Sequence, residues 1–451
     1  MPGFASWKAI FKDEHFQMYH EGFPVEDMTK YLNKTDESSL SEYDWENAYY
    51  TLIKVKENGI KPDFQYFEPN DYESIINEAS AIPNLQKLTE SEYTDRIKGA
   101  WFGRCAGVIL GKPLEMGYDR LMVKKYLESV DMYPLSDFVP EYSEKLDIFL
   151  RKDSIPSTKG NVQYVQCDDD INYTILSLLI AEQYGFDFTT LNVGQVTIAN
   201  VPYEWFWVAD KQAYYHMVNL DYEIDLQTQV DEFPDKMNPW RECMDGELKA
   251  DFWGYITPCN PRKGAYYAHK ISSFSLAKNG LYGSMFIAGC ISAALSKKPT
   301  VENIIAGGLS VIPKKSRLYD AVTNVVNWYR ETPDWITVCD KIYEKYGYWY
   351  FAATINNLSW VTLALLHGDL DYEKTITTAV MCGTDTDCNS GTAASIVGAA
   401  IGYEKLPEKW ITPLNDRVKT AVAEYGEGTI TELCERTIKI RKEHEIASHN
   451  N

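Results

Sequence analysis

Apolar residues recur every three or four positions through most of the chain, as on one face of an α-helix, and strand-like alternation is scarce. Residues 168–185 illustrate the pattern, because three aspartates begin the segment, an apolar face follows and Gly185 ends it. Residues 279–295 and 382–410 are richer in small side chains, which favours close helix packing. The pattern predicts an all-α fold, a compact bundle of many helices.

A stripe of glycines marks the segment that begins near Thr89. Four glycines at strict four-residue spacing lie on one face of the predicted helix: Gly99, Gly103, Gly107 and Gly111. Each glycine costs up to about 1 kcal/mol of helix stability relative to alanine, so four in register indicate a need for a bare backbone surface. We therefore predict close packing against another helix. Charged residues such as Arg104 and Lys112 exclude a membrane span here.

The chain divides into segments of different character. Residues 1–88 are rich in Tyr, Trp, Asp and Glu and are predicted to form a helical extension. Residues 89–425 contain the closely packed helices and form the predicted main domain, and residues 426–451 are predicted to form a C-terminal amphipathic helix. Within the main domain, residues 187–262 are aromatic, acidic and irregular, which predicts a loop-rich insertion or a small second subdomain.

Charge and cysteine content narrow the class of protein. The chain has 44 Lys and Arg residues against 65 Asp and Glu residues, and its net charge of -21 argues against a nucleic-acid partner. Charges interrupt the apolar run at the N-terminus, and no apolar stretch reaches about 18 residues, so neither a signal peptide nor a membrane span is expected. The nine cysteines are scattered without a CxxC pair. We expect a reduced, cytoplasmic protein without a disulfide framework or structural zinc.

Two clusters of aspartates carry the candidate chemistry. Asp168, Asp169 and Asp170 precede one predicted helix, and Asp385 and Asp387 precede another in the run GTDTDCNSG. Adjacent carboxylates are costly to desolvate unless a cation neutralises them. Acidic residues are also common as solvated caps of helix N-termini, so each cluster alone has an ordinary explanation. Together, beside glycine-rich helices, they predict one site that holds Mg²⁺ on oxygen ligands.

Four motifs occur in the order found in ADP-ribosylglycohydrolases, and the chain resembles that family over roughly residues 92–405. The motifs are the glycine stripe that ends in GVILGKPLE, the DDD cluster, NGLYGSMFIAG and GTDTDCNSGTAASIVGAAIG. The last of them is the most specific. The resemblance implies an all-α catalytic domain over residues 89–425 with two Mg²⁺ ions, for which Mn²⁺ is an alternative.

The resemblance also implies roles for individual residues. The implied metal ligands are Asp168, Asp169, Asp170, Asp385, Asp387 and Cys388, and the implied catalytic residues are Glu115, Asp169 and Asp385. The substrate-binding set joins one glycine-rich motif to a loop glycine: Asn279, Gly280, Tyr282, Gly283, Ser284 and Gly383. Asp168 stands where the family usually has threonine, and Cys388 where it has threonine or serine. A thiol is a soft ligand and a poor partner for magnesium.

The implied activity is hydrolysis of an N- or O-glycosidic bond in an ADP-ribosyl or related ribosyl substrate, either a small molecule or a protein conjugate. Cleavage builds an oxocarbenium-like sugar ring, and Glu115 would act as general acid or base. Two other interpretations stay open: a metal-dependent hydrolase of another nucleoside or glycoside, and a binding protein that no longer catalyses turnover. The sequence indicates neither the leaving group nor an oligomeric state.

Overall fold

The computed structural model describes residues 3–32 and 40–450, and it confirms the predicted all-α fold. Residues 1–2 and 33–39 of the predicted N-terminal extension, and residue 451 of the predicted C-terminal helix, lie outside the described residues. Two short antiparallel hairpins account for the strands within the described ranges: β1 (Tyr142–Ser143) with β2 (Ile148–Phe149), and β3 (Val418–Lys419) with β4 (Glu427–Gly428).

The helices follow the chain in three groups. The N-terminal segment contains α1 (Trp7–His20), α2 (Glu42–Ile53) and α3 (Tyr72–Glu78). The first half of the main domain contains α4 (Glu90–Gly111), α5 (Arg120–Ser129), α6 (Asp169–Tyr184), α7 (Thr190–Asn200), α8 (Val208–Met217), α9 (Leu226–Asp231), α10 (Asp245–Tyr255) and α11 (Pro261–Ser272). The second half continues with α12 (Asn279–Ala294), α13 (Val301–Leu309), α14 (Arg317–Glu331), α15 (Trp335–Tyr346), α16 (Thr354–Gly368), α17 (Tyr372–Met381), α18 (Thr386–Ile401), α19 (Glu408–Ile411) and α20 (Ile430–Asn450).

Short 3₁₀ helices connect several of these elements. They span Glu26–Tyr31, Lys54–Asn58, Lys112–Leu114, Lys152–Ser157, Tyr203–Trp205, Tyr403–Lys405 and Thr412–Leu414. Each described α-helix is too short or too polar to cross a membrane. All nine cysteines are free, in agreement with the absence of a disulfide framework expected from their spacing.

The glycine stripe of α4 packs directly against α18. A Cβ atom added to any of the four glycines would lie 2.2–2.7 Å from a backbone oxygen of α18, closer than real Cβ atoms approach. The contacted residues, in order from Gly99 to Gly111, run backwards along α18: Gly398, Ala394, Ser390 and Thr386. The hydroxyl groups of Ser390 and Thr386 donate to the carbonyl oxygens of Gly107 and Gly111 at 2.5 and 2.7 Å. The predicted close packing is confirmed, and the two helices are antiparallel.

The hydrophobic core surrounds this helix pair. α12 is buried along its whole length and packs against α10, α11 and α13, while α16 and α17 pack beside α18. α20 closes on α4, where the Trp101 indole donates to the Thr437 hydroxyl at 3.0 Å. A smaller apolar cluster joins α14, α15 and α16. The C-terminal end of α4 and the N-terminal end of α18 therefore meet inside the bundle.

Buried ion pairs fasten the N-terminal segment to the main domain. Arg241 is fully buried and donates to Glu14 and to Glu21, at 2.8 Å in each case. Arg317, at the start of α14, donates to Glu68 at 2.6 Å. Removing one partner of a buried pair leaves an uncompensated charge, which typically costs about 3–5 kcal/mol. The segment is therefore part of the folded body.

The prediction that residues 187–262 form a loop-rich insertion is wrong for much of that segment. α7, α8, α9 and α10 lie within it, and α10 is buried on all sides. Charged residues at alternate positions of α10 hide its helical period in the sequence: Asp245, Glu247, Lys249 and Asp251. They are buried because partners neutralise some of them, as Asp210 does for Lys249 at 2.6 Å.

Replacing Gly107 with alanine is expected to destabilise the protein. The added methyl group would meet the Ser390 carbonyl oxygen, and overpacking of this kind costs about 1–3 kcal/mol. Gly194→Ala in α7 is the matched control, since its new methyl group would meet mainly the flexible end of Met217. Denaturant unfolding measures both variants. Equal losses of stability would contradict the backbone-to-backbone packing.

Candidate active site

The packing of α4 on α18 places two loops side by side. α4 continues through the 3₁₀ helix Lys112–Leu114 to Glu115, and α18 begins directly after Asp385. The Thr386 hydroxyl ties the first residue of α18 to the carbonyl oxygen of Gly111 at 2.7 Å. Glu115 and Asp385 thus come from sequence segments about 270 residues apart and reach one location because the helices are antiparallel.

The loop before α18 is held in a strained shape. Gly383 forms a backbone bridge with Asp119, and Thr384 N donates to Tyr118 O at 2.7 Å. Thr384 has a φ of 70°, a left-handed conformation that is rare for a β-branched residue and typically costs about 1–3 kcal/mol. The neighbouring contacts therefore impose the conformation that presents Asp385 to the site.

The N-terminal end of α6 brings the remaining carboxylates. Asp168 caps the helix, and its Oδ1 accepts from Asp170 N at 3.0 Å. The buried Arg104 of α4 donates to the carbonyl oxygen of Asp170 at 2.7 Å and also pairs with Asp251 of α10. α4 thus supplies both the packing surface for α18 and the guanidinium that fixes the start of α6.

The structure brings the two predicted clusters together. The structure contains three overlapping groups of residues, and within each group one ligand atom of every member lies within 4.8 Å of the others. The groups are Asp170, Asp387 and Cys388; Glu115, Asp385 and Asp387; and Asp168, Asp169 and Asp170. Most of these residues are buried, but Glu115 and Asp169 are half-buried, so the cluster reaches solvent on their side. The six predicted metal ligands and Glu115 therefore form one site.

Burial and mutual repulsion raise the pKa values of these carboxyl groups. Burial, followed by the charge of Asp387, raises the pKa of Glu115 to about 8. Burial and the charge of Glu115 likewise raise the pKa of Asp385 to about 8. Burial and neighbouring aspartates hold the pKa of Asp170 well above its ordinary value. The cluster thus favours bound protons or a bound cation, because either one relieves the repulsion.

A divalent cation fits the donor atoms of this cluster. Asp385 Oδ1 is buried and accepts no hydrogen bond from the described residues, which leaves it free to bind a cation. Carboxylate oxygens are the ligands that Mg²⁺ and Mn²⁺ prefer. The Cys388 thiol is less suited, because burial raises its pKa well above the ordinary value and it donates to Asp170 at 3.3 Å.

Several charged residues of the site escaped the sequence analysis. Glu247 of α10 is fully buried, both its carboxylate oxygens lack a hydrogen-bond partner among the described residues, and burial and Asp385 raise its pKa well above normal. Arg151 donates to Glu115 Oε2 at 3.0 Å. Lys112 contacts Asp168 through its ammonium group. The position of Lys112 directly after the glycine stripe was the one sequence signal that could have identified it.

The predicted substrate-binding residues Asn279 and Tyr282 of α12 form hydrogen bonds with residues outside the carboxylate cluster. Asn279 is fully buried, and its amide donates to Glu68 and Glu242 at 2.9 Å each. The Tyr282 hydroxyl donates to the carbonyl oxygen of Pro69 at 2.5 Å. These bonds give Asn279 and Tyr282 a role in packing, and their predicted contact with substrate stays a prediction.

The other members of that set divide between packing and the site. Gly280 and Gly283 permit close contacts with the Arg241 backbone and the Thr354 side chain, and Ser284 accepts a hydrogen bond from Ser272 at 2.8 Å. These three are buried and contribute to helix packing, and their predicted contact with substrate stays a prediction. Gly383 alone lies in the loop that presents Asp385.

Comparison with known proteins gives three findings. The family model described as ADP-ribosylglycohydrolase matches residues 89–445, which is well over half of the chain. A solved structure described as an "ADP-ribosylglycohydrolase-related protein complex" is similar at 16% sequence identity and a TM-score of 0.48, over 78% of this chain and 99% of that chain. None of the curated proteins compared with the chain matches it. The family match contains every candidate site residue.

The cation-free protein is expected to lose stability as the pH rises from about 4.5 to about 8. Glu115 and Asp385 have folded-state pKa values of about 8, against ordinary values of 4.5 and 3.8. The folded state therefore binds more protons than the unfolded state in this window, and the free energy of unfolding falls as those protons are lost.

Urea unfolding in EDTA and in millimolar Mg²⁺ or Mn²⁺, at about pH 5.5 and about pH 8, measures this effect. The divalent cation should stabilise the protein more at the higher pH, because it then binds carboxylates that hold no protons. Potassium chloride at equal ionic strength is the control. A divalent-cation effect that is the same at both pH values would contradict the electrostatic account.

Proposed function

The chain belongs to the ADP-ribosylglycohydrolase family, and from this premise we propose that it is a metal-dependent hydrolase of an N- or O-glycosidic bond in an ADP-ribosyl or related ribosyl substrate. The observation that carries the proposal is the meeting of Glu115, Asp385 and Asp387 with the carboxylates of α6 on a side that reaches solvent. A ribosyl group bound there would lie against a concentrated negative charge, which suits a reaction that builds positive charge on the sugar ring.

The carboxylates of the chain supply the proton transfers. Hydrolysis breaks the bond between the anomeric carbon and the leaving oxygen or nitrogen, and water gives its hydroxyl to the carbon and a proton to the leaving group. Glu115 would donate that proton, and in the cation-free protein burial and the charge of Asp387 raise its pKa to about 8, which favours the protonated form. Arg151 holds the Glu115 carboxyl group at 3.0 Å, and Asp169 and Asp385 orient the water.

The metal cofactor would be held by Asp170, Asp385 and Asp387, with Glu115 and Asp169 at the solvent side. When bound, Mg²⁺ or Mn²⁺ supplies Lewis-acid stabilisation of the ribose hydroxyls and of the attacking water. The chain's own residues set the position of that cation through Arg104, which fixes Asp170 from behind. The family resemblance implies two such ions.

A second candidate function keeps the cation site and changes the substrate. The departures at Asp168 and Cys388 alter the ligand set, and the glycine-rich start of α12 is used for packing, so a different nucleoside or glycoside remains a competing substrate. A binding protein without turnover is the third interpretation.

The nine free cysteines support the proposed location in the reducing cytoplasm.

The proposed activity is tested by release of ADP-ribose from ADP-ribosylated arginine and serine peptides, beside a panel of nucleosides and glycosides. Glu115→Gln is expected to lower the rate about 10²–10⁴-fold, because it removes the proton donor. Asp385→Ala should abolish both divalent-cation binding and turnover, because it removes the carboxylate ligand. Asp137→Asn is the matched control, since Asp137 is an exposed partner of Lys159 on the surface.

The substrate panel distinguishes the three interpretations. Release of ADP-ribose from either peptide, lost in EDTA, is the expected outcome. Turnover of nucleosides or glycosides alone would transfer the function to the second candidate. Cation binding without turnover of any substrate would contradict an enzymatic role.

A further inference from the structure

Lys112 places its ammonium group inside the carboxylate cluster. Its Nζ contacts Asp168 Oδ2 and lies 3.8 Å from Asp387 Oδ2, and its side chain is only 10% exposed. The backbone of Lys112 follows Gly111 directly, and the contact of Gly111 with Thr386 fixes its position relative to α18. The lysine is thus built into the same helix contact that assembles the site.

The ammonium group is held as a charge. A lysine side chain is ordinarily protonated at neutral pH, and carboxylate oxygens of Asp168 and Asp387 lie beside this one. A protonated lysine has three donors and no lone pair, so it binds carboxylate oxygens and does not ligate a metal ion. It competes with a divalent cation for the oxygens that it contacts.

Both carboxylate oxygens of Asp168 have a polar neighbour, although Oδ2 has only an ion-pair contact and accepts no hydrogen bond from the described residues. Its Oδ1 accepts from Asp170 N in the helix cap, and its Oδ2 contacts the Lys112 ammonium. The Lys112 ammonium therefore lies against one member of the group formed by Asp168, Asp169 and Asp170. The group of Glu115, Asp385 and Asp387 includes Asp385 Oδ1, which accepts no hydrogen bond from the described residues.

We infer that Lys112 takes the place of one cation in this cluster, so that each chain binds one divalent ion where the family resemblance implies two. The inference rests on the proposed metal-dependent function. Two divalent ions in a shared site lie about 3.5–4 Å apart. A second ion at Asp168 would meet the ammonium at similar range, where like charges repel, whereas one ion beside Asp385 and Asp387 leaves the Lys112–Asp168 pair intact.

Lys112 is therefore a positioning residue. Its ammonium group contacts Asp168, and the Asp168 carboxylate caps the helix that carries Asp169 and Asp170. The lysine also places a fixed positive charge next to the bound ion. A change in metal concentration does not remove this charge.

Counting Mn²⁺ ions on the full-length protein tests this inference. Equilibrium dialysis gives the number bound per chain, and electron paramagnetic resonance separates an isolated ion from a spin-coupled pair. The unmodified protein should bind one ion with the spectrum of an isolated centre. Two tightly bound, spin-coupled ions would overturn the inference and leave the proposed function in place.

A double variant, Lys112→Met with Asp168→Asn, removes both charges together and avoids an unpaired buried carboxylate. Asparagine also caps helices well and retains an oxygen ligand. This variant should bind a second Mn²⁺ and show spin coupling, whereas Lys112→Arg should still bind one. Lys124→Met, on the exposed face of α5, is the control and should leave the count unchanged.

The remaining outcomes are equally decisive. A count of one in both the unmodified protein and a folded double variant would contradict the role of Lys112, because a second site would not depend on its charge. No bound Mn²⁺ in any variant would overturn the proposed metal-dependent function and the inference with it. If the double variant does not fold, the number of Mn²⁺ ions bound per chain of the unmodified protein still tests the inference, since one ion supports it and two ions contradict it.

Discussion

The contact between the backbones of α4 and α18 is the constraint on which the site depends. Glycine at every fourth position removes the side chains that would hold the two helices apart, and the hydroxyl groups of Ser390 and Thr386 then reach carbonyl oxygens of α4. Because the helices are antiparallel, the last glycine of one meets the first residue of the other. The carboxylate cluster therefore lies where the glycine stripe ends.

The same geometry creates an electrostatic problem that the protein solves in two ways. Carboxylates from α6, α10 and α18 converge in a buried region, and burial raises the pKa values of Glu115 and Asp385 to about 8. Arg104 and Lys112, both from α4 or its continuation, neutralise part of this charge from within. A divalent cation bound there would neutralise the rest, and its binding would then be coupled to folding. Family membership and electrostatics lead to the same class of cofactor by separate routes.

Much of this arrangement follows from local patterns. Helical periodicity predicts the fold class, the glycine spacing predicts close packing, and the two aspartate clusters predict a shared site, which the structure forms. The charges that distant partners neutralise could not be predicted from the sequence. α10 looks irregular because its buried charges alternate, and Lys112 looks like a surface lysine because Asp168 lies far along the chain. Asn279 and Tyr282 resemble a binding motif, yet each forms a hydrogen bond with the N-terminal segment about 200 residues away.

The position of the bound cation tests the central claim most directly. Crystals of the full-length protein grown with Mn²⁺ allow the ion to be located by its anomalous scattering. The account predicts a peak within ligand distance of Asp385 and Asp387 and of the start of α6, between the two segments that the helix contact joins. Full occupancy of a site elsewhere, with nothing between those carboxylates at millimolar Mn²⁺, would contradict it.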